Sequence, residues 1–252
     1  MHRFYLPPEQ CRGDALMLAG REAHHALRVL RVRNGDRVTV LDGAGTEFLC
    51  DVRCTERNTL ELSVLEKRSA PPLPCRITLV QAIPKGKLIE GIIEKATELG
   101  AHRIVPILSE RVTTRLDDAG AAEKAEKWRL VAIEAIKQCG ATWLPKVDVP
   151  TTPKHFLARK EAFDLTLVGA LQADARHPRE CLRAFQSQHG ALPRNVCVWI
   201  GPEGDFTPDE LRAIQGAGAL PICLGTLVLR VETAAIYCLS FLNYEFQSKS
   251  EV

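Results

Sequence analysis

No stretch of this chain is apolar over the ~18 residues that a membrane-spanning helix needs, so no such span is expected. The first residues, Met1 to Pro8, hold no apolar h-region, so no secretory signal is expected and a cytoplasmic location follows. Cysteine lacks order. There are nine, an odd number that argues against a complete disulfide framework. The closest pair, Cys50 and Cys54, falls in an alternating strand-like run with no His/Cys cluster to complement it. Reduced, mostly buried thiols are expected, and no metal site. Nucleotide signatures are also missing. No Gly-x-Gly-x-x-Gly follows the first strand of either half, which disfavours a Rossmann oxidoreductase. Lys85-Gly86-Lys87 lacks the spacing of a nucleoside triphosphate loop. The net charge of +2 is too small to announce nucleic acid by itself.

What is present is 252 residues, 46% hydrophobic and 25% charged, enough for an ordinary core in one large domain or in a small and a medium one. Residues 1–70 read as a small β-rich domain. Strands are expected at 37–41, 47–52 and 59–65, with the turn Asp42-Gly43-Ala44-Gly45 between the first two and a short helix at 22–30. The adjacent His24 and His25 point about 100° apart on that helix, so they cannot chelate one metal in the usual way; one packs and the other is exposed. Arg21, Arg28, Arg31, Arg33 and Arg37 crowd this region against only Glu22 and Asp36. They are either a track for a phosphate backbone or a solvated face.

Residues 69–74 are Pro-rich and read as a linker. From 75 to 252 the pattern changes to alternating strands and helices. Strands fall at 76–82, 104–108, 165–169 and 196–201. Helices fall at 87–99, with Leu88 on its apolar side, at 121–139 and at 233–246. This is the pattern of a parallel sheet covered on both faces. Lys85 and Lys87 either meet RNA phosphate at a helix start or are ordinary exposed residues.

Two loops carry the most information. Gly201-Pro202-Glu203-Gly204 follows an apolar strand and leads to Asp205-Phe206-Thr207-Pro208-Asp209-Glu210. Thr207 there suits an N-cap, Pro208 the first helical position and Glu210 the third, as a capping box requires. The second loop runs from Leu224-Gly225 to Arg230-Val231-Glu232-Thr233. Strand-then-glycine loops at one edge of a parallel sheet are where such folds hold small ligands, and two so close suggest one pocket. Arg230 and Glu232 are either a structural pair or face a substrate, with Arg230 on a phosphate and Glu232 handling a proton.

These motifs resemble the bacterial 16S ribosomal RNA uridine N3-methyltransferases of the SPOUT superfamily, the RsmE family. The resemblance runs almost end to end. It is carried by Arg3-Phe4, His24 to Arg31, Asp42 to Glu47, Lys85-Gly86-Lys87, Glu94 to Gly100, Glu110-Arg111 and Glu134 to Gly140. It is most specific at Gly201 to Gly204, Leu224-Gly225, Leu229-Arg230 and Glu232 to Ala234.

The resemblance implies a PUA-like β-barrel, then an α/β SPOUT domain whose parallel sheet ends in a deep trefoil knot. It also implies a homodimer, S-adenosylmethionine (SAM) as methyl donor and 16S rRNA within the small ribosomal subunit as substrate. The cofactor would lie against three loops. Leu167, Gly169 and Leu171 match the first, and Ile200, Gly201, Pro202, Glu203 and Gly204 the second. Leu224, Gly225, Val228 and Leu229 match the third, with Thr233 just beyond. RNA contacts fall to Arg3, His25, Arg28, Arg31, Lys85 and Lys87, and catalysis to Arg230 and Glu232. Three positions depart from the family pattern: Asp205 stands for a common Gly, and Leu227 and Ala141 for common Arg residues. The competing readings are a SPOUT enzyme for another RNA and a catalytically degenerate RNA-binding assembly factor.

Overall fold

The computed structural model describes residues 1–56, 58–172 and 175–247. They cluster into two compact units. The first holds Met1–Pro72 and Ile133–Leu144; the second holds Leu73–Ala132 and the chain from Pro145 onward. The division is therefore not the single cut near residue 70 expected from composition.

In the first unit, β1 (His2–Tyr5), β2 (Ala15–Ala19), β3 (Arg37–Leu41), β4 (Thr46–Thr55) and β5 (Thr59–Ser69) form one sheet in the order β1-β3-β4-β5-β2. β1 runs parallel to β3 and the other pairs are antiparallel. Alternation decides the inward face: Leu16 and Leu18, Phe48, Cys50 and Val52, and Leu60 and Leu62 are all buried in one core. Two irregularities in the β4–β5 register, at Leu49/Cys50 and Val52/Cys54, bend these long strands. The turn between β3 and β4 is as expected. Asp42 accepts from the N–H groups of Ala44 and Thr46, both at 2.8 Å. β5 continues to Ser69, so the chain leaves the sheet one residue later than the Pro-rich signal suggests. After β2, α1 (Gly20–His24) continues as a π-helical turn over His25–Val29.

In the second unit, β6 (Arg76–Ala82), β7 (Arg103–Ile107), β8 (Lys146–Val147), β9 (Leu165–Gly169), β10 (Asn195–Ile200) and β11 (Leu220–Ile222) build an all-parallel sheet. Its order is β11-β9-β10-β6-β7-β8. β6 and β10 are buried almost throughout, as strands covered on both faces must be. The helices are α2 (Leu88–Glu98), α3 (Asp118–Cys139), α4 (Pro153–Ala158), α5 (Pro178–His189), α6 (Pro208–Gly216) and α7 (Val231–Gln247). α2 buries Ile89, Ile92, Ile93 and Ala96 and stops at Gly100, whose φ of +75° suits a helix end. α7 packs on α2, β6 and β10. Trp199 of β10 is 1% exposed, edge-on to Phe156 and Phe206 at 5.3 and 6.1 Å.

The last turns of α3 belong to the first unit. Ile133 and Ile136 pack with Tyr5, Leu41, Ala141 and Leu144. Ala141, one of the three positions expected to depart from the pattern, is half-buried against an apolar cluster. Lys137 Nζ sits 2.9 Å from Glu22 Oε1 and 3.1 Å from Glu134 Oε2, with its side chain 6% exposed.

Candidate functional site

The sheet order places a switch point beside β10. The chain steps outward from β6 to β7 and β8, then returns to fill the other side with β9, β10 and β11. Connections diverge there and leave a crevice at the strand C-termini. A cleft of about 710 Å³ occupies this crevice. Its walls come from the loops after β9, β10 and β11 and from the first turns of α2 and α7. Leu171, Leu224, Val228 and Leu229 supply an apolar lining, and Glu203, Asp205, Arg230 and Glu232 supply charge.

The loop after β10 is the most constrained wall. A Cβ on Gly201 would lie 3.0 Å from Asp205 Oδ1 and 3.3 Å from both the ring and the backbone nitrogen of Phe206. Asp205 itself takes a φ of +60°, and its Oδ1 accepts from the Phe206 N–H at 2.7 Å. Aspartate tolerates this left-handed conformation, which glycine would also adopt. Glu203 Oε1 accepts from the Lys85 N–H at 2.8 Å, tying the loop after β10 to the loop after β6. The capping box at Thr207 and Glu210 forms as the sequence predicts. Replacing Gly201 with valine is expected to cost about 1–3 kcal/mol of stability, because the added side chain must displace Asp205 and Phe206. Chemical denaturation checks this; an unchanged midpoint would contradict the contact.

Most of the expected cofactor residues converge on the cleft: Gly169, Leu171, Ile200, Gly201, Pro202, Glu203, Leu224, Gly225, Val228 and Leu229 all line it. Three do not. Leu167 is 1% exposed in the middle of β9, two positions before the strand opens into the cleft. Gly204 faces the Arg111 side chain instead. Thr233 is exposed and does not line the cleft, whereas Glu232 and Ala234 beside it do. Leu88 is also placed differently from its expected core position: it is 45% exposed and lines the cleft. Cys223, Leu227 and Gln172 line the cleft without having been foreseen as binding residues. Each lies within two residues of one that was, so their loops were the only available signal.

Arg230 and Glu232 both line the cleft, and among the described residues their side chains have neither each other nor any other partner. The structural-pair reading of these two residues is thereby set aside.

The expected RNA residues separate. Arg3 is engaged at the end of α3, where its Nη1 donates to the carbonyls of Lys137 at 3.3 Å and Gln138 at 3.1 Å. These carbonyls have no partner within the helix, and a cation at a helix C-terminus is favoured. His25 is half-buried, its ring edge-on to Phe4 at 6.5 Å, while His24 is exposed. Arg21 pairs with Glu134 at 3.0 Å and Arg37 with Asp51 at 3.4 Å. Arg28, Arg31 and Arg33 are exposed and have no side-chain partner among the described residues. Lys85 and Lys87 are exposed, flanking Gly86 at a φ of +69°. Among the described residues, no group of three or more His, Cys, Asp or Glu could hold a metal.

Fold and cleft together define an α/β protein that holds a small ligand at the C-terminal ends of its parallel strands, attached to a small β unit. The sequence matches the RNA methyltransferase domain family over residues 71–243 and the RNA methyltransferase PUA domain family over residues 18–65. The chain is 34% identical to ribosomal RNA small subunit methyltransferase E of Mycobacterium tuberculosis, over 94% of its own length and 88% of that protein. A methyltransferase from Legionella pneumophila, solved with SAM, superposes with a TM-score of 0.86 at 32% identity, covering 96% and 97% of the two chains. The small subunit methyltransferase E of Neisseria gonorrhoeae, bound to SAM, gives 0.83 at 27% identity over 98% of both. The chain belongs to the ribosomal RNA small subunit methyltransferase E family.

Proposed function

We propose that this protein transfers a methyl group from SAM to N3 of one uridine in 16S rRNA of the small ribosomal subunit. The observation that carries this reading is the pair of unpartnered, oppositely charged side chains, Arg230 and Glu232, at the wall of the cleft in a chain of this family. The cleft suits the cofactor. Its volume is in the range of small-ligand sites, its apolar wall of Leu171, Leu224 and Leu229 suits a purine, and Glu203 suits a cationic group. When bound, SAM supplies an electrophilic sulfonium methyl group.

The rest falls to the protein. The apolar wall excludes water, and the loops of Gly201 to Asp205 and Leu224 to Leu229 orient the donor, so that positioning supplies much of the acceleration. The uridine must be turned out of its stack to enter. Its N3–H must lose a proton, and we assign Glu232, which lines the cleft, to take it. Arg230, also in the lining, is assigned to hold a phosphate or a uracil oxygen. Arg28, Arg31, Lys85 and Lys87, all exposed, are assigned to RNA phosphates.

A trefoil knot in the second unit is supported by the insertion of β10 between β9 and β6 and by the return of α7 onto α2, β6 and β10. A homodimer is supported by the exposed stripe of Thr233, Tyr237, Ser240 and Tyr244 along the otherwise apolar α7, where the two tyrosines are 42% and 67% exposed. A cytoplasmic location follows from the substrate, and no described helix is long and apolar enough to cross a membrane.

The test is methyl transfer from labelled SAM to small subunits isolated from cells lacking this protein, with the labelled nucleotide mapped. One N3-methyluridine in 16S rRNA is the expected result. Label in another RNA would replace the substrate, and no label together with no SAM binding would leave an RNA-binding assembly factor.

A further inference from the structure

Glu210 does more than cap α6. The residue is only 8% exposed, and its carboxylate accepts four hydrogen bonds. Oε2 takes the Thr207 N–H at 2.9 Å, the Ser109 hydroxyl at 3.0 Å and the Thr207 hydroxyl at 3.2 Å. Oε1 takes the Glu110 N–H at 2.9 Å. Thr207 follows β10, whereas Ser109 and Glu110 follow β7, and β6 lies between those strands in the sheet. One buried carboxylate thus joins two loops across the end of an intervening strand. A second tie runs parallel to it, from the Arg111 guanidinium to the Gly204 carbonyl.

The loop held in this way, Gly201 to Phe206, faces the cleft with its other side. A capping box needs only the Thr207 contacts. The bonds to Ser109 and Glu110 are surplus to helix capping, and they point away from α6 toward the β7 loop. We infer that Glu210 is a positioning residue for the cofactor, acting through the backbone of Gly201 to Asp205. The inference rests on the assignment of SAM to this cleft.

Glutamine at this position tests the inference sharply, since it matches glutamate in size. Each carboxylate oxygen accepts a backbone N–H, but an amide offers one oxygen only. Its NH₂ group must face either the Glu110 or the Thr207 N–H, donor against donor. One loop is released while the helix and its hydrophobic contacts stay.

SAM affinity would be measured by calorimetry on the whole protein, the Glu210→Gln variant and Leu62→Ala. The last removes a buried side chain from the core of the other unit and controls for general destabilisation. Amide exchange at Glu110 and Thr207 would be read in parallel. The expected result for Glu210→Gln is SAM binding weakened about tenfold, the size of one hydrogen bond to a charged acceptor, with faster exchange at one or both amides. The methyl-transfer kcat at saturating SAM should be retained, and Leu62→Ala should bind SAM as the unaltered protein does. Unchanged affinity in Glu210→Gln would overturn the inference, as would an equal loss in Leu62→Ala. Absence of SAM binding by the unaltered protein would overturn the cofactor assignment and the inference with it, and the first titration alone separates that case.

Discussion

Exchanging Glu232 for glutamine is expected to slow methyl transfer by about 10²–10⁴-fold, the usual contribution of a positioned general base, with SAM affinity unchanged. The expectation follows from where the side chain sits. Glu232 lies in the first turn of α7, lines the cleft, and has no side-chain partner among the described residues. Glutamine keeps the shape and removes the basic oxygen. A loss of kcat with SAM binding intact would separate proton transfer from cofactor binding. Arg230→Ala, by contrast, should act on the RNA and raise its KM. Single-turnover methylation of isolated small subunits, with SAM binding measured separately, reads both. Full turnover by Glu232→Gln together with unaltered RNA affinity in Arg230→Ala would show that Glu232 takes no proton and Arg230 holds no RNA.

The second large effect concerns stability and lies away from the cleft. Asp148, just past β8, has a side chain only 6% exposed. Arg103 grips it with two nitrogens, its Nε at 3.0 Å from Oδ1 and its Nη2 on Oδ2. Arg159 adds a contact at 3.1 Å and Lys146 one at 3.4 Å. Glu161 sits on the other side of the same guanidinium at 2.5 Å and balances it. Asp148→Ala would leave the Arg103, Arg159 and Lys146 cations with Glu161 as their remaining counter-charge, beside an Arg103 side chain only 14% exposed. Removing one member of a buried ion pair costs about 3–5 kcal/mol, and denaturant titrations of this variant are expected to show that loss. A loss below about 1 kcal/mol, the usual size for an exposed pair, would mean that solvent reaches the network.

The same group sets an acid limit. Burial pushes the Asp148 carboxyl up, but the hydrogen bond and charge of Arg103, helped by Lys146 and Arg159, more than offset this and hold it below the ordinary value of 3.8. A carboxylate lowered in the folded state binds fewer protons there than in the unfolded chain. Its stabilisation is therefore fully present above the ordinary aspartate range and is lost as pH falls through 3.8 and below. Stability should decline across that window in the unaltered protein. In Asp148→Ala this part of the decline should be missing.

Much of this architecture was legible because it is local. The period of α2, the hairpin at Asp42 and the capping box at Thr207 each depend on residues within a few positions of one another, and all three form. What was not legible depends on partners far along the chain. β1 is four residues long and pairs with β3 across more than thirty positions, so no short window reveals it. Arg3 reads as a free cation until α3 brings its terminal carbonyls alongside. Glu210 reads as a complete cap until Ser109 and Glu110 arrive. In the cleft, strand-then-glycine spelling located the loops, but the backbone path within them decided which residues turn inward. Leu227 therefore lines the cleft unannounced, while Leu167 stays inside β9 and Thr233 stays exposed on α7.

The interrupted course of the first unit bears on how the chain is made. Its five strands end at Ser69, yet Ile133 and Ile136, which cover Tyr5 and Leu41, come after α2 and most of α3. At about 5–20 residues per second, roughly 3–13 seconds separate the synthesis of Ser69 from that of those side chains. During that interval the nascent sheet carries an open apolar spot that only its own later sequence can close. A fragment cut after Pro72 would keep that spot open permanently.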